Sequence, residues 1–376
     1  MAYALGAVGF GHWFERLYEG MRKNEEIRLA KVVGVSGIGS KTERLRAVGL
    51  SENEYYRIGP GEDLPQSFFD GLDIAHISNP NAFHARQTMQ ALSAGKITVT
   101  EKTFGIDRAE FEGVVDYIKG NGFRGKAYLH LHYVHKLLTI MLPDLLSKCT
   151  GRYGKVIEVS ASFLERRSDE DLRRKGWLFS KESGGLFMDW IHPFEILYVG
   201  ALADSACLSH IRQYVVNPEY GESNPTGIEA IADLKGRLFS GDAHAAIRIA
   251  KGTAESKKSV RFIFESGDHL DLNYSGSEEE FSTVRRGEWS IFEGGREVET
   301  WRPKGPDTSE LLIADILEMC RGRRAGLSLE YLSKIFEPQW EYQSLSSASE
   351  LEGGPAAAEF VERARGMALM SRQVSL

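Results

Sequence analysis

From Tyr3 to Thr100 short apolar runs alternate with stretches of helical pattern, and no other feature of the chain narrows the fold so far. The apolar runs are Tyr3 to Val8, Leu29 to Val35, Leu72 to Ser78 and Lys96 to Thr100. Between them, Phe14 to Arg22 and Ala82 to Ala94 can form helices, the second stopped by Gly95. Near-continuous apolar runs read as strands buried on both faces, and strands joined through helices run parallel. A doubly wound parallel sheet is therefore expected first. Three glycines between Gly120 and Gly125 mark its end, giving a domain over 1–124 and a second over 125–376. From Ala206 the pattern changes. Ile211–Val216, Gly227–Leu234, Ala243–Ile249, Ser259–Glu265, His269–Tyr274 and Phe281–Val284 read as short strands divided by Gly, Ser, Asn and charges. Helices return at Leu311–Met319 and Leu329–Leu345. The fold class is α/β: an N-terminal doubly wound sheet, then an α+β domain with a large, mostly antiparallel open sheet.

The first apolar run ends in a glycine turn. Residues 3–16 read Tyr-Ala-Leu-Gly-Ala-Val-Gly-Phe-Gly-His-Trp-Phe-Glu-Arg, placing Gly9 and Gly11 between strand and helix. Strand, glycine turn and helix open a Rossmann unit: one glycine permits the turn, and another lets the backbone approach a pyrophosphate, whose charge the helix N-terminus favours. Phe14 stands where the third glycine of that pattern falls. Two glycines after a strand are also an ordinary turn, and this piece alone does not separate the two. As a dinucleotide site it would use Gly9, Phe10, Gly11, His12 and Trp13. The second strand ends in Ser36-Gly-Ile-Gly-Ser-Lys41, with no acid before Glu43. An NAD site usually places Asp or Glu there for the ribose hydroxyls, whereas hydroxyls and a cation accept a 2′-phosphate. Ser36, Ser40 and Lys41, with Arg44 nearby, thus point to NADP, with NAD as second choice. The competing reading is a solvated helix start capped by Ser40.

At 376 residues the chain can hold two domains and a large core. Its 46 Lys and Arg against 53 Asp and Glu give a net charge of −7, no footprint for nucleic acid. No apolar run is long enough for a bilayer, so no membrane association is expected. The apolar start has no basic region before it and does not read as a secretory signal. Cys149, Cys207 and Cys320 lie far apart without a C-x-x-C pair, so small buried thiols in a reducing cytoplasm are expected. No metal-ligand cluster is visible.

Asp73-Ile-Ala-His-Ile-Ser-Asn-Pro-Asn-Ala-Phe-His84, then Ala91-Leu-Ser-Ala-Gly-Lys96, then Glu101-Lys102, resembles the Gfo/Idh/MocA family of oxidoreductases. That family carries a strand, a T-P-N-x-x-H-like turn, a helix ending in A-L-x-x-G-K and a strand ending in E-K-P. The resemblance implies that Asn79, Pro80, Asn81, His84, Glu101 and Lys102 border the cofactor, and that Lys102 contacts both substrate and nicotinamide. Ligands of open α/β sheets bind beyond the carboxyl ends of the strands, where this lysine falls. Without the family, Glu101 and Lys102 read as an exposed strand end. Thr103 replaces the family's proline. The family often uses a cis peptide there, which before threonine costs about 3 kcal/mol, so a different local backbone is expected.

Lys126 to Tyr133 reads as a strand leading into His132-Tyr-Val-His-Lys136 and a helix containing Pro143. The stretch is similar in outline to the H-Y-L-G-K motif of glucose-6-phosphate dehydrogenase. His132 and Tyr133 are candidates for a substrate cleft; the other reading is a hydrogen-bonded structural histidine. Gly151 to Phe163 alternates as a strand, and the charged stretch Glu165 to Lys175 reads as a solvated loop or helix. Ser183-Gly-Gly-Leu-Phe-Met-Asp-Trp-Ile-His-Pro-Phe-Glu195 resembles the family's G-G-x-x-x-D-x-G-x-H helix, which faces the nicotinamide. Asp189 and His192 are three apart rather than four, and either offset keeps them on one face. A neutral histidine takes a hydroxyl proton near pH 7, so His192 is the candidate base and Asp189 its orienting group or a hydroxyl ligand. Taken alone, the stretch reads as a core helix with one satisfied histidine.

The expected activity is NAD(P)-dependent hydride transfer between nicotinamide and a carbinol or carbonyl carbon of a sugar, polyol or sugar derivative. Catalysis would rest on Lys102, Asp189 and His192, substrate binding on these with His132 and Tyr133, and no metal is expected. A cytoplasmic homodimer or homotetramer joined through the open sheet is expected. The alternative is a non-catalytic cofactor- or sugar-sensing protein on the same fold, toward which Phe14, Thr103 and the shortened Asp-to-His spacing point.

Overall fold

In the computed structural model, six strands form the first sheet: β1 (Tyr3–Val8), β2 (Ile27–Gly34), β3 (Tyr55–Arg57), β4 (Ile74–Ile77), β5 (Ile97–Glu101) and β6 (Ala127–His130). Their order is β3-β2-β1-β4-β5-β6, and every pairing is parallel. The chain steps outward from β1 to β3, then returns beside β1 as β4, so the switch point lies between β1 and β4. The structure describes residues 2–35, 37, 41–168, 170, 188–214, 227–253, 255–275, 287–323 and 326–347.

The chain divides into two units, of which the first takes in Met1–Leu131 and Pro306–Leu329. Its sheet thus includes β6, beyond the glycines at 120–125, and it gains a helix from far downstream, Thr308–Cys320. On one face of the sheet, Phe14, Leu17, Tyr18 and Met21 of helix α1 (His12–Met21) pack with Leu5, Ile74 and Val99 and with Ile313 and Ile316 of that downstream helix. Burying each large side chain contributes about 1.5–3 kcal/mol. At Gly20 a Cβ would stand 2.3 Å from the Cβ of Ser309, so only glycine lets the two helices approach this closely. Asp307 caps the downstream helix, accepting from the Glu310 N–H at 2.9 Å. The other face is filled by Phe68, Phe69, Leu72 and Ala91.

The second unit is built on β7 (Val156–Arg166), β8 (Ala203–Tyr214), β9 (Gly227–Gly236), β10 (Phe239–Thr253), β11 (Lys257–Phe264), β12 (His269–Asn273), β13 (Glu288–Glu293) and β14 (Arg296–Trp301). The order is β14-β13-β12-β11-β7-β10-β9-β8. All pairings are antiparallel except β7 with β10. The hairpin of β13 and β14 escapes the sequence pattern because Arg296–Trp301 is exposed or half-buried throughout and shows no apolar alternation. Its turn is Gly294-Gly295, both at positive φ. The expected strand at 281–284 lies outside the described residues. Only Cys149 of the three thiols is buried; Cys320 is half-buried, and Cys207 is exposed on the edge strand β8. Among the described residues no helix is long and apolar enough to cross a membrane.

Candidate active-site residues

Gly9 follows β1 with φ +94°, and a Cβ there would stand 2.6 Å from the Asn79 backbone nitrogen and 2.8 Å from its Cα. The ends of β1 and β4 therefore approach closely enough to exclude any side chain at this turn. Gly11 is the N-cap of α1 and makes no side-chain cap, and a Cβ there would meet nothing within 4 Å. The first amides of the helix thus have no side-chain cap among the described residues, a donor set suited to a phosphate. Phe14 is fully buried, with its ring centroid 5.4 Å from that of His76. It points into the core and leaves the turn open, although it replaces a glycine. Phe10 is also buried, and the Arg44 guanidinium lies 5.0 Å above its ring. Arg44 also donates to the Phe10 carbonyl at 3.0 Å and pairs with Glu15. Burial and the neighbouring Arg44 lower the pKa of Lys41. Ser36, Ser40 and the side chain of His12 lie outside the described residues.

The turn after β4 is fixed from inside. His84 is buried, its ring nitrogens 2.8 Å from the Thr103 carbonyl and 2.7 Å from the Asn79 carbonyl. A neutral ring donates to only one of them. His84 therefore clamps the Asn79 turn to the segment after Lys102, with both ring nitrogens against backbone carbonyls. The Asn79 side chain donates to Gln87 at 2.6 Å, while Pro80 and Asn81 open a short helical turn at the rim. The Lys102–Thr103 peptide is cis, so the expectation that threonine at 103 excludes this conformation is corrected. Lys102 itself is half-buried. Glu101 is turned inward: its carboxylate accepts from His130 Nδ1 at 2.7 Å and from the Trp13 side chain. Burial raises its pKa, but His130, His76 and Trp13 outweigh that and bring it to about 2. Burial pulls His76 down to about 4 against the partial offset of Glu101. Glu101 and Trp13 thus engage each other, and His76, Glu101 and His130, on three separate strands, converge.

In the second unit, register builds a polar patch on an apolar sheet face. Across β7 and β10, Phe163 pairs with Ile249 and Glu165 with Lys251; across β7 and β11, Phe163 pairs with Lys258. Opposite and alternate residues share a face, so Phe163, Glu165, Ile249, Lys251 and Lys258 point the same way. Over them lies the short helix Ile191–Glu195, which begins where Pro193 fits the first turn. His192, Asp189 and these strand residues line a cavity of about 10 Å³, room for about one water molecule.

The orienting group of His192 is Glu195, which the sequence reading passed over. His192 Nδ1 lies 2.9 Å from Glu195 Oε1, and the fully buried Glu195 also accepts the Tyr133 N–H at 2.6 Å. Asp189 Oδ1 is 3.7 Å from His192 Nε2, too far for a hydrogen bond, and its other oxygen pairs with Lys251. The expected role of Asp189 as orienting group is thus corrected, because Lys251 draws its carboxylate away. The Tyr133 ring packs against His192 with centroids 4.9 Å apart, and His132 stacks edge-on to Tyr133 at 5.3 Å without lining the cavity. Burial raises the pKa of Glu165, but Lys251 and Lys258 outweigh it and hold the carboxyl well below the usual range. Glu195 stood three residues after His192 and was legible as a same-face partner. Lys251 carried no local signal, since strand pairing alone brings it here.

No family model matches the chain. A scyllo-inositol 2-dehydrogenase (NADP(+)) of Bacillus subtilis (strain 168) is 26% identical over 201 residues. That match takes in 51% of this chain and 57% of the relative, so the chain spans little more than half of its length. Among solved structures, a 3-ketoreductase from Actinomadura kijaniata, in complex with TDP-benzene and NADP, superposes with a TM-score of 0.73 at 14% identity, covering 92% of this chain and 98% of that one. A myo-inositol 2-dehydrogenase from Lactobacillus plantarum gives 0.72 at 14% identity, with 93% and 98% covered. The fold is therefore the one that these two solved structures share. The resemblance to the Gfo/Idh/MocA family read from residues 73–102 and 183–192 is borne out.

Proposed function

We propose that the chain is an NADP-dependent oxidoreductase acting on a CH–OH group or the matching carbonyl of a sugar, polyol or sugar derivative. The observation that carries this reading is His192, held at Nδ1 by the buried Glu195 with its ring at a small polar cavity. NADP, when bound, supplies or accepts the hydride. The open backbone at Gly11 and the uncapped start of α1 would hold its phosphates. Glu195 fixes the tautomer with Nδ1–H, so Nε2 is the nitrogen that takes a substrate hydroxyl proton. Glu195 then stabilises the imidazolium. Lys251 pairs with Asp189, which borders the cavity beside His192 and is the proposed acceptor for a second substrate hydroxyl. Lys102 is the proposed cation for polarising the reacting oxygen. The first unit is proposed as the cofactor domain, the second as the substrate and oligomerisation domain.

The names of the relatives support NADP and inositol- or sugar-like substrates. Purified protein is titrated with NADPH and NADH by tryptophan fluorescence, then screened against inositols and sugars for nicotinamide reduction. Tighter NADPH binding and turnover are expected, with turnover lost and NADPH binding kept in Lys102→Ala. A protein that binds no nicotinamide cofactor would end this reading. We also propose a homodimer or homotetramer through the open sheet, to be read by light scattering.

A further inference from the structure

Three side chains of the first unit that the proposed chemistry does not use meet on one face of its parallel sheet. His76 is on β4, Glu101 closes β5 and His130 closes β6. His76 pairs with Val99 and Glu101 with His130, so the three occupy adjacent rows of the same face. His130 Nδ1 is 2.7 Å and His76 Nε2 is 3.6 Å from the same oxygen, Glu101 Oε1. One ligand atom from each lies within 4.8 Å of the others. All three residues are buried, and among the described residues neither ring nitrogen of His76 has a hydrogen-bond partner. Leaving a buried polar group unsatisfied costs about 1–3 kcal/mol. An apolar side chain would fill this part of the core without that cost. Something that accepts the nitrogen lone pair would explain the imidazole.

We propose that His76, Glu101 and His130 form a binding site for one divalent transition-metal ion of the Zn²⁺ type. Two imidazoles and one carboxylate suit a borderline ion, whereas Ca²⁺ and Mg²⁺ take oxygen ligands. Metal–ligand bonds of about 2.0–2.2 Å in a tetrahedron set donor atoms roughly 3.3 Å apart. The 3.6 Å from His76 to Glu101 is already near that spacing, and the 2.7 Å contact of His130 opens modestly to reach it. The ion ties together the ends of three neighbouring strands directly before Lys102, so its role is to brace that end of the sheet.

The test is metal binding itself. Full-length protein stripped with a chelator is titrated with Co²⁺ and then Zn²⁺. One equivalent of Co²⁺ is expected, with the visible absorption of a low-symmetry ion, bleached by one equivalent of Zn²⁺. His76→Phe keeps a buried ring and removes the donor. It is expected to weaken Co²⁺ binding more than about 100-fold, beyond the 10–100-fold that outer-shell changes cost, with an unchanged circular dichroism spectrum. If that variant does not fold, His130→Gln is read in its place, together with the rise in the wild-type thermal midpoint that Zn²⁺ must produce. Wild-type protein that binds no ion, or folded variants that bind as tightly as wild type, would overturn the proposal.

Discussion

Replacing Glu195 by Gln tests the catalytic reading at its narrowest point. The buried carboxylate has two tasks: it accepts the Tyr133 N–H at 2.6 Å and holds His192 Nδ1 at 2.9 Å. Glutamine has nearly the same shape, and its amide oxygen can still accept from Tyr133. Its NH₂ group then faces His192 and donates to Nδ1, which moves the ring proton to Nε2. That tautomer cannot take a substrate proton. The imidazolium also loses a charge-assisted hydrogen bond, worth about 1.5–3 kcal/mol. At 1.4 kcal/mol per factor of ten, kcat/KM falls roughly 10- to 150-fold. Because the Tyr133 N–H stays satisfied, the thermal midpoint changes little. The assay is initial-rate nicotinamide reduction with the best substrate of the screen, beside a melting curve. A folded variant within twofold of wild-type kcat/KM would refute the assignment of Glu195 as the orienting group.

Lys251→Met leaves the Asp189 carboxylate without its partner. Breaking a fully buried pair costs about 3–5 kcal/mol, and less is expected here because the Asp189 side chain is 18% exposed. Adding Asp189→Asn should recover much of the stability in urea unfolding but not the KM for substrate. Lys251 and Lys258 hold the Glu165 carboxyl below its ordinary pKa of 4.5, so its contribution to stability is present above about pH 4.5 and is lost as pH falls through the folded pKa. The acid limb of a stability–pH curve should therefore flatten in Glu165→Gln, and an unchanged limb would show that Lys251 and Lys258 do not hold it ionised. Gly9→Ala places a side chain at φ +94° and 2.6 Å from the Asn79 nitrogen. Strain of about 1–3 kcal/mol and weaker NADPH binding are expected, by urea unfolding and fluorescence titration.

Local chemistry decided much of this protein before any tertiary contact is considered. The apolar runs of β1, β2, β4 and β5, the glycine turn and the helix stops depend on residues close in sequence, and they appear within a few positions of where the pattern puts them. The motif from Asp73 to Lys102 and the Asp189–His192 pair were legible for the same reason: each sits on one turn, strand end or helix start. The structure decided what these residues touch. Phe14 looked like an obstruction at the cofactor turn, but α1 rotates it into the core. Lys251 is more than fifty positions from His192 in sequence, and the parallel pairing of β10 with β7 brings it to Asp189 and so leaves His192 to Glu195. His76, Glu101 and His130 lie on separate strands and form a cluster only because those strands are neighbours in the sheet. Sequence by itself fixed the periodicities and turn chemistry, which are short-range. Strand order and register are set by burial across the whole sheet, and they alone chose the partners that each charged group meets.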